Sequence, residues 1–410
     1  MSVSEHRSRS AATAKRPAPW RPLFGGILAL AIAMGIGRFA FTPILPAMRD
    51  AFGLSTATLG ALASVNYLGY LVGALVAAAL PTGRASGLAL RGSVLTVIVV
   101  TALMATTAAI PLWLILRFVA GVASAGVFVF GSAAVLSQIA GEGRLDLSGW
   151  FFGGVGAGIA TAGVVVLVLE RLNDGPGAWR GEWLGIAALA AALAIPCLAW
   201  LPREREVVLA ARPIAPAPGE RRDWRLLPLV LLGGAYFLEG LGYIVAGTFL
   251  VAIVGALPGL AEFGTGAWIL VGLAAAPSAN LWTRVAARVS PAAALLVVYL
   301  AQALGLVLPV LSGEAWAAAT SAILFGSTFI GITALTVGEA RRLVPPPLAT
   351  RSIASLTAVF GLGQIIGPLL AAALEERPGD FNRALVVASG AVLIGGLLAV
   401  ASGLAERRHA

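Results

Sequence analysis

The chain has 410 residues, 59% hydrophobic and only 11% charged, against about 25% charged in an average soluble domain. That balance excludes an ordinary soluble domain and marks an all-α chain embedded in a lipid bilayer. The net charge of +9 would admit a nucleic-acid partner, and the placement of the charges, given below, argues against it.

Twelve apolar runs are predicted to span the membrane, at roughly 23–48, 56–80, 88–109, 112–138, 147–169, 182–201, 226–254, 264–283, 291–311, 314–338, 349–374 and 381–404. Residues 1–22 form a basic N-terminal tail expected to be disordered. A secretory signal is rejected there, because the following apolar run is about twice too long for one. Counting Lys and Arg by side puts 21 on the face that carries both termini. Five lie on the other face (Arg49, Arg171, Arg180, Arg377, Arg383), and Arg38 and Arg117 lie inside the membrane. This excess predicts that both termini are cytoplasmic, and the placement is expected in a bacterial inner membrane. The basic charge is thus a topology signal, and no nucleic-acid partner is expected.

The first span contains Met34-Gly-Ile-Gly-Arg38-Phe-Ala-Phe-Thr-Pro43-Ile-Leu-Pro46. An arginine at the centre of a spanning helix costs about 2.5–3.5 kcal/mol on insertion scales, so something other than lipid must surround Arg38. Pro43 and Pro46 remove backbone donors and are expected to kink the outer end of this span, as a gate or as a packing bend. Residues 23–201 carry six spans and residues 226–404 another six. Residues 202–225 between them are Pro-, Ala- and charge-rich, a cytoplasmic linker by composition, and 405–410 form a short tail. At an offset of about 205, Met34-Gly-Ile-Gly-Arg38 aligns with Glu239-Gly-Leu-Gly-Tyr243. At 207, Gly154-Val-Gly156 aligns with Gly361-Leu-Gly363. Two parallel six-helix pseudo-repeats are therefore expected.

Over its whole length the chain resembles the major facilitator superfamily (MFS). The stretches Gly35–Pro46, Tyr236–Tyr243 and Gly361–Pro368 are similar to its bacterial YbfB/YjiJ-type branch, and Arg117-Phe-Val-Ala-Gly121 resembles the superfamily's Arg-x-x-x-Gly pattern in the fourth span. The resemblance implies the MFS fold, alternating access, and a midplane site lined by the first span of each half. Two family features are absent: the loop at Pro81-Thr-Gly-Arg84 has no Asp, and the Gly-Pro pair expected in the fifth span occurs instead at Gly367-Pro368 in the eleventh.

Only Arg38, Arg117 and Glu239 are charged well inside the spans. Such groups face a bundle interior or a wet cavity and commonly pair. Arg38 and Glu239 are expected to form a breakable pair, with Glu239 as the acid that loads and releases H+, the expected coupling ion. The alternative is a static pair that orders two helices. Arg117 is expected to line the cavity, or else to cap backbone carbonyls or snorkel toward the outer surface. Asn66, Tyr67, Tyr70, Tyr236, Tyr243, Gln302 and Gln364 are candidate wall residues. Tyr243 and Gln364 lead as ligand contacts, while helix–helix hydrogen bonding is the commoner role for the others. Two arginines against one glutamate favour a solute with an anionic group.

The expected function is secondary active transport of a small organic solute by a monomer, with export slightly ahead of uptake. A passive facilitator of the same fold and a non-transporting membrane receptor are the alternatives. No cofactor is expected. Neither histidine (His6, His409) nor the single Cys197 offers a metal set, and no nucleophile–base set can be assembled, so the chain reads as no enzyme.

Overall fold

The computed structural model describes residues 20–80, 84–173, 175–202, 226–377 and 379–407. Most of the basic tail, the linker and the last three residues therefore lie outside the described residues. Every regular element described is helical. In chain order they are α1 (Trp20–Leu30), a π-helical segment (Ala31–Ile36), α2 (Phe41–Phe52), α3 (Thr56–Ala79), α4 (Arg84–Met104), α5 (Ile110–Gly141), α6 (Ser148–Leu172) and α7 (Ala178–Trp200). There follow α8 (Leu226–Gly255), α9 (Gly264–Ala275), α10 (Ser278–Arg288), α11 (Pro291–Leu311), α12 (Ala315–Leu343), α13 (Pro346–Ala373) and α14 (Asn382–Arg407). Single 3-10 turns precede α6 and α9.

Among the described residues, eleven helices are long and apolar enough to cross a membrane. The eighth expected span is where the structure differs. Residues 264–283 divide into α9 and α10, which meet at Pro277. A proline has no N–H to donate and crowds the carbonyl four residues back, so the helix stops and restarts.

Large apolar side chains such as Leu75, Ile115, Leu172, Ile195 and Leu397 are exposed. On a soluble protein such a surface would be a liability; here it is the lipid-facing belt. The interior is held by close helix approach. A Cβ on Gly69 would meet the Phe118 carbonyl, and one on Gly121 the Asn66 carbonyl, so α3 and α5 pack backbone to backbone.

The first span is not one helix. Its backbone bonds lengthen to five-residue spacing (Gly37 N–H to Ile32 O, Phe39 N–H to Met34 O) and a turn follows before α2 starts at Phe41. Pro43 stands in the first turn of α2, where its missing donor costs nothing. Its ring crowds the carbonyl of Phe39, so the break lies on the N-terminal side of the two prolines, at Gly37–Ala40, and not at the outer end of the span. Arg38 sits in this break.

Candidate functional site

Three carbonyls around the break are met by one side chain. Arg117, 2% exposed on α5, donates from Nε to Leu62 O (3.4 Å), from one terminal nitrogen to Gly37 O (3.4 Å) and from the other to Arg38 O (3.3 Å), with its guanidinium 4.7 Å from the Phe41 ring centroid. A planar fork of donors suits several carbonyls at once. Of the expected roles the structure favours carbonyl capping: Arg117 is buried, so it does not snorkel, and it is not among the residues that line the cavity. Asn66 likewise serves packing, donating to the Arg117 carbonyl at 2.8 Å.

Arg38 is 3% exposed, and its Nε and one terminal nitrogen have no hydrogen-bond partner. Its guanidinium lies 4.8 Å from the Tyr67 ring centroid, 4.5 Å from Tyr70 and 5.3 Å from Phe39. Aromatic faces attract a desolvated cation, and each such contact contributes about 0.5–2 kcal/mol. They leave its N–H donors open. Arg38 borders a cavity of about 100 Å³ at the middle of the bundle, with Met34, Tyr70, Phe128 and Phe152 on one wall and Tyr236, Tyr243, Phe329, Phe360 and Gln364 on the other.

The second wall is a set of near-parallel rings. Tyr236 stacks on Phe360 at 4.2 Å, Phe360 lies 5.5 Å from Tyr243, and Tyr243 lies 5.8 Å from Phe329, with interplanar angles of 15°, 9° and 11°. Phe325 continues it, 5.5 Å from Phe329. The Tyr243 hydroxyl is bonded by Gln364, and that of Tyr236 donates to Thr333 at 3.3 Å. Phe325, Phe329 and Phe360 were not candidates from sequence. Their spacing was the available signal: Phe325 and Phe329 are four apart, and Tyr236 and Tyr243 seven apart, each pair on one helical face.

Glu239 does not meet Arg38. It is fully buried on α8, where Gln302 Nε2 on α11 donates to its Oε1 at 2.9 Å. Its Oε2 and the Gln302 Oε1 have no partner, and Tyr299 and Thr336 stand beside each other nearby. Tyr236 separates this polar pocket from the cavity: its ring lines the cavity, and it stands one helical turn before Glu239. A second buried acid escaped the sequence reading. Glu182, at the edge of its predicted span, is 1% exposed on α7 with Oε2 unpartnered.

The cavity is closed at one end. Toward the end where α2 and α8 finish, the Thr42 hydroxyl donates to Gly247 O at 2.6 Å, and Tyr67 and Thr248 share a hydrogen bond at 3.2 Å. Ser64 donates to Ile365 O at 2.7 Å, on the stretch of α13 that Pro368 disturbs, and Gly60 abuts the Pro368 carbonyl. A Cβ on Gly367 would meet the Ile244 side chain, so α13 is pressed onto α8 at this layer. Outside it lies a recess of about 720 Å³ bordered by Arg49, Glu375, Arg377 and Asp380. At the opposite end the walls part. Phe128, Phe152, Ile330, Thr333 and Val337 border both the central cavity and a wide space of about 770 Å³ that reaches Asp146, Asn280, Arg284 and Arg341.

Known proteins share this fold. A solved structure of the nucleoside transporter NupG matches with a TM-score of 0.68, and that of a mutant form of the same transporter with 0.70. Each is 14% identical and covers 93% of this chain and 99% of the other, a likeness of fold alone. A chloramphenicol resistance protein of Streptomyces lividans is 28% identical over 264 residues; the match takes in 62% of this chain and 62% of that relative's length. Residues 30–400 match the family described as "Uncharacterised MFS-type transporter YbfB". The chain therefore belongs to that family of major facilitator transporters: it is a multi-pass membrane transporter and not an enzyme.

Proposed function

We propose that the protein is a secondary active, proton-coupled transporter of a small organic solute in a bacterial inner membrane, with both termini cytoplasmic, working as a monomer. Residues 23–201 would rock against 226–404 about the central cavity. The observation that carries the proposal is the unpartnered, buried Arg38 on the wall of a cavity open at one end only. A cation left without a hydrogen-bond partner in such a place is a binding group for a solute that bears an acceptor or a negative charge. With the termini cytoplasmic, the open end faces the cytoplasm.

Glu239 and Gln302 support proton coupling. Gln302 Nε2 already donates to one carboxyl oxygen. The two atoms left over, Glu239 Oε2 and Gln302 Oε1, are both acceptors. One proton on Oε2 would join them and close an acid–amide ring, whereas a carboxylate there would leave two acceptors facing a dry interior. The binding and release of that proton is the coupling step, and Arg38 acts on the solute and not on Glu239. The relative that confers chloramphenicol resistance favours export over uptake.

The test is flux in proteoliposomes, with labelled chloramphenicol and labelled benzoate as probes, under an imposed pH gradient. Flux is read above that of protein-free liposomes, since benzoic acid crosses lipid unaided and follows a pH gradient. The wild type should accumulate a probe uphill and lose that accumulation with a protonophore, while Glu239→Gln should exchange the probe without concentrating it. Uphill accumulation by Glu239→Gln equal to wild type would remove Glu239 from coupling. Equal wild-type flux with and without the gradient would mean a passive facilitator.

A further inference from the structure

We infer that the central cavity selects a flat, single-ring aromatic monoanion, of the aryl carboxylate kind. The inference rests on the reading of that cavity as the solute site. It draws on two features that face each other across one space.

The first is the charge. Arg38 Nε and one terminal nitrogen are buried without partners while the guanidinium face is covered by Tyr67 and Tyr70. Ring contacts hold the group in place and use none of these N–H donors. The edge is the part that binds a carboxylate through two parallel hydrogen bonds. No carboxylate of the protein does so among the described residues: Glu239 is bonded to Gln302, and Arg117, the other deep cation, donates to backbone carbonyls. A neutral acceptor would leave the buried charge uncompensated, and a dianion would add a second charge with no second cation on the cavity wall.

The second is the opposite wall. Tyr236, Phe360, Tyr243 and Phe329 lie within about 20° of one orientation, which is the order of offset-stacked rings rather than the mixed angles of ordinary packing. On the other wall the rings are tilted, as Phe128 and Phe152 are at 39°, or edge-on, as Tyr70 and Phe128 are at 63°. A flat ring entering the cavity would extend the parallel set, with its edge toward Phe128 and Phe152. A puckered aliphatic ring of equal size would fit the volume and lose the stacking. The central space of about 100 Å³ leaves no room for a second ring, and the wide space of about 770 Å³ beside it admits the solute.

The test measures binding to the purified full-length protein in detergent, by titration calorimetry, for three probes: benzoate, cyclohexanecarboxylate and benzamide. Benzoate should bind at least about tenfold tighter than either of the others. The first comparison reads the ring and the second the charge. In Arg38→Gln benzoate and benzamide should bind alike. In Phe360→Leu benzoate should lose its advantage over cyclohexanecarboxylate and keep that over benzamide. Equal binding of benzoate and cyclohexanecarboxylate by the wild type would overturn the aromatic selection. A preference for benzamide would overturn the anion, and no binding of any probe would overturn both. The wild-type comparison holds whether or not the variants fold. Binding requires no gradient, so a failure here is distinct from a failure of proton-driven flux.

Discussion

At the scale of single residues, two buried polar side chains carry opposite consequences. Arg117 answers two carbonyls that the broken first span leaves open and a third, that of Leu62, on α3, so Arg117→Leu should destabilise the protein by about 1–3 kcal/mol for unpaired buried groups. Arg117→Lys should recover only part, because an ammonium lacks the planar fork. The order of thermal midpoints in detergent, wild type above lysine above leucine, checks this; a leucine variant as stable as wild type would sink it. Gln302 is tied to a single partner. Gln302→Leu strands Glu239 Oε1, whereas Glu239→Leu with Gln302→Leu removes both polar groups together. Each single variant should melt below wild type and the double variant above the Gln302→Leu single, a non-additive result that two independent sites would not give.

At the scale of elements, the helices were legible from sequence and their interruptions were not. Apolar length alone places eleven of the spans. The division of the eighth at Pro277 and the π segment before Pro43 depend on how a proline is accommodated locally. The deep charges were legible for the same reason: lipid does not tolerate them, so Arg38, Arg117 and Glu239 stand out in apolar runs. Their partners were not, since the three-carbonyl role of Arg117 joins Leu62 to the break at Gly37–Arg38. The phenylalanines of the cavity wall were hidden because hydropathy scores an inward ring and a lipid-facing ring alike. Close glycine contacts lead to a further expectation. A Cβ on Gly156 would meet Ala276 and the Gly272 carbonyl, so α6 lies against α9 with no side chain between them. Gly156→Ala should push these helices apart and lower flux of labelled benzoate several-fold while the protein stays folded. Unchanged flux would show that this approach carries no part of the motion.

At the scale of the molecule, the repeat offset has a geometric meaning. Two elements related by a two-fold axis bring equivalent residues together only close to that axis. The sequence repeat aligns residues about 205 apart, and Thr42 bonds to Gly247, which is 205 residues on. Under the two-fold repeat expected from sequence, this contact stands beside the axis, in the layer that closes one end of the cavity. Alternating access requires the layer to part once per cycle, whatever the solute and whatever the driving ion. The protein's single cysteine, Cys197, is buried, so a cysteine pair at Thr42 and Gly247 can be read without removing it. Oxidation of Thr42→Cys with Gly247→Cys should stop the flux of labelled benzoate above that of protein-free liposomes, and reduction should restore it. Benzoate should still bind the oxidised protein, because the opposite end stays open. Flux that survives the cross-link would mean that the solute does not pass through this layer.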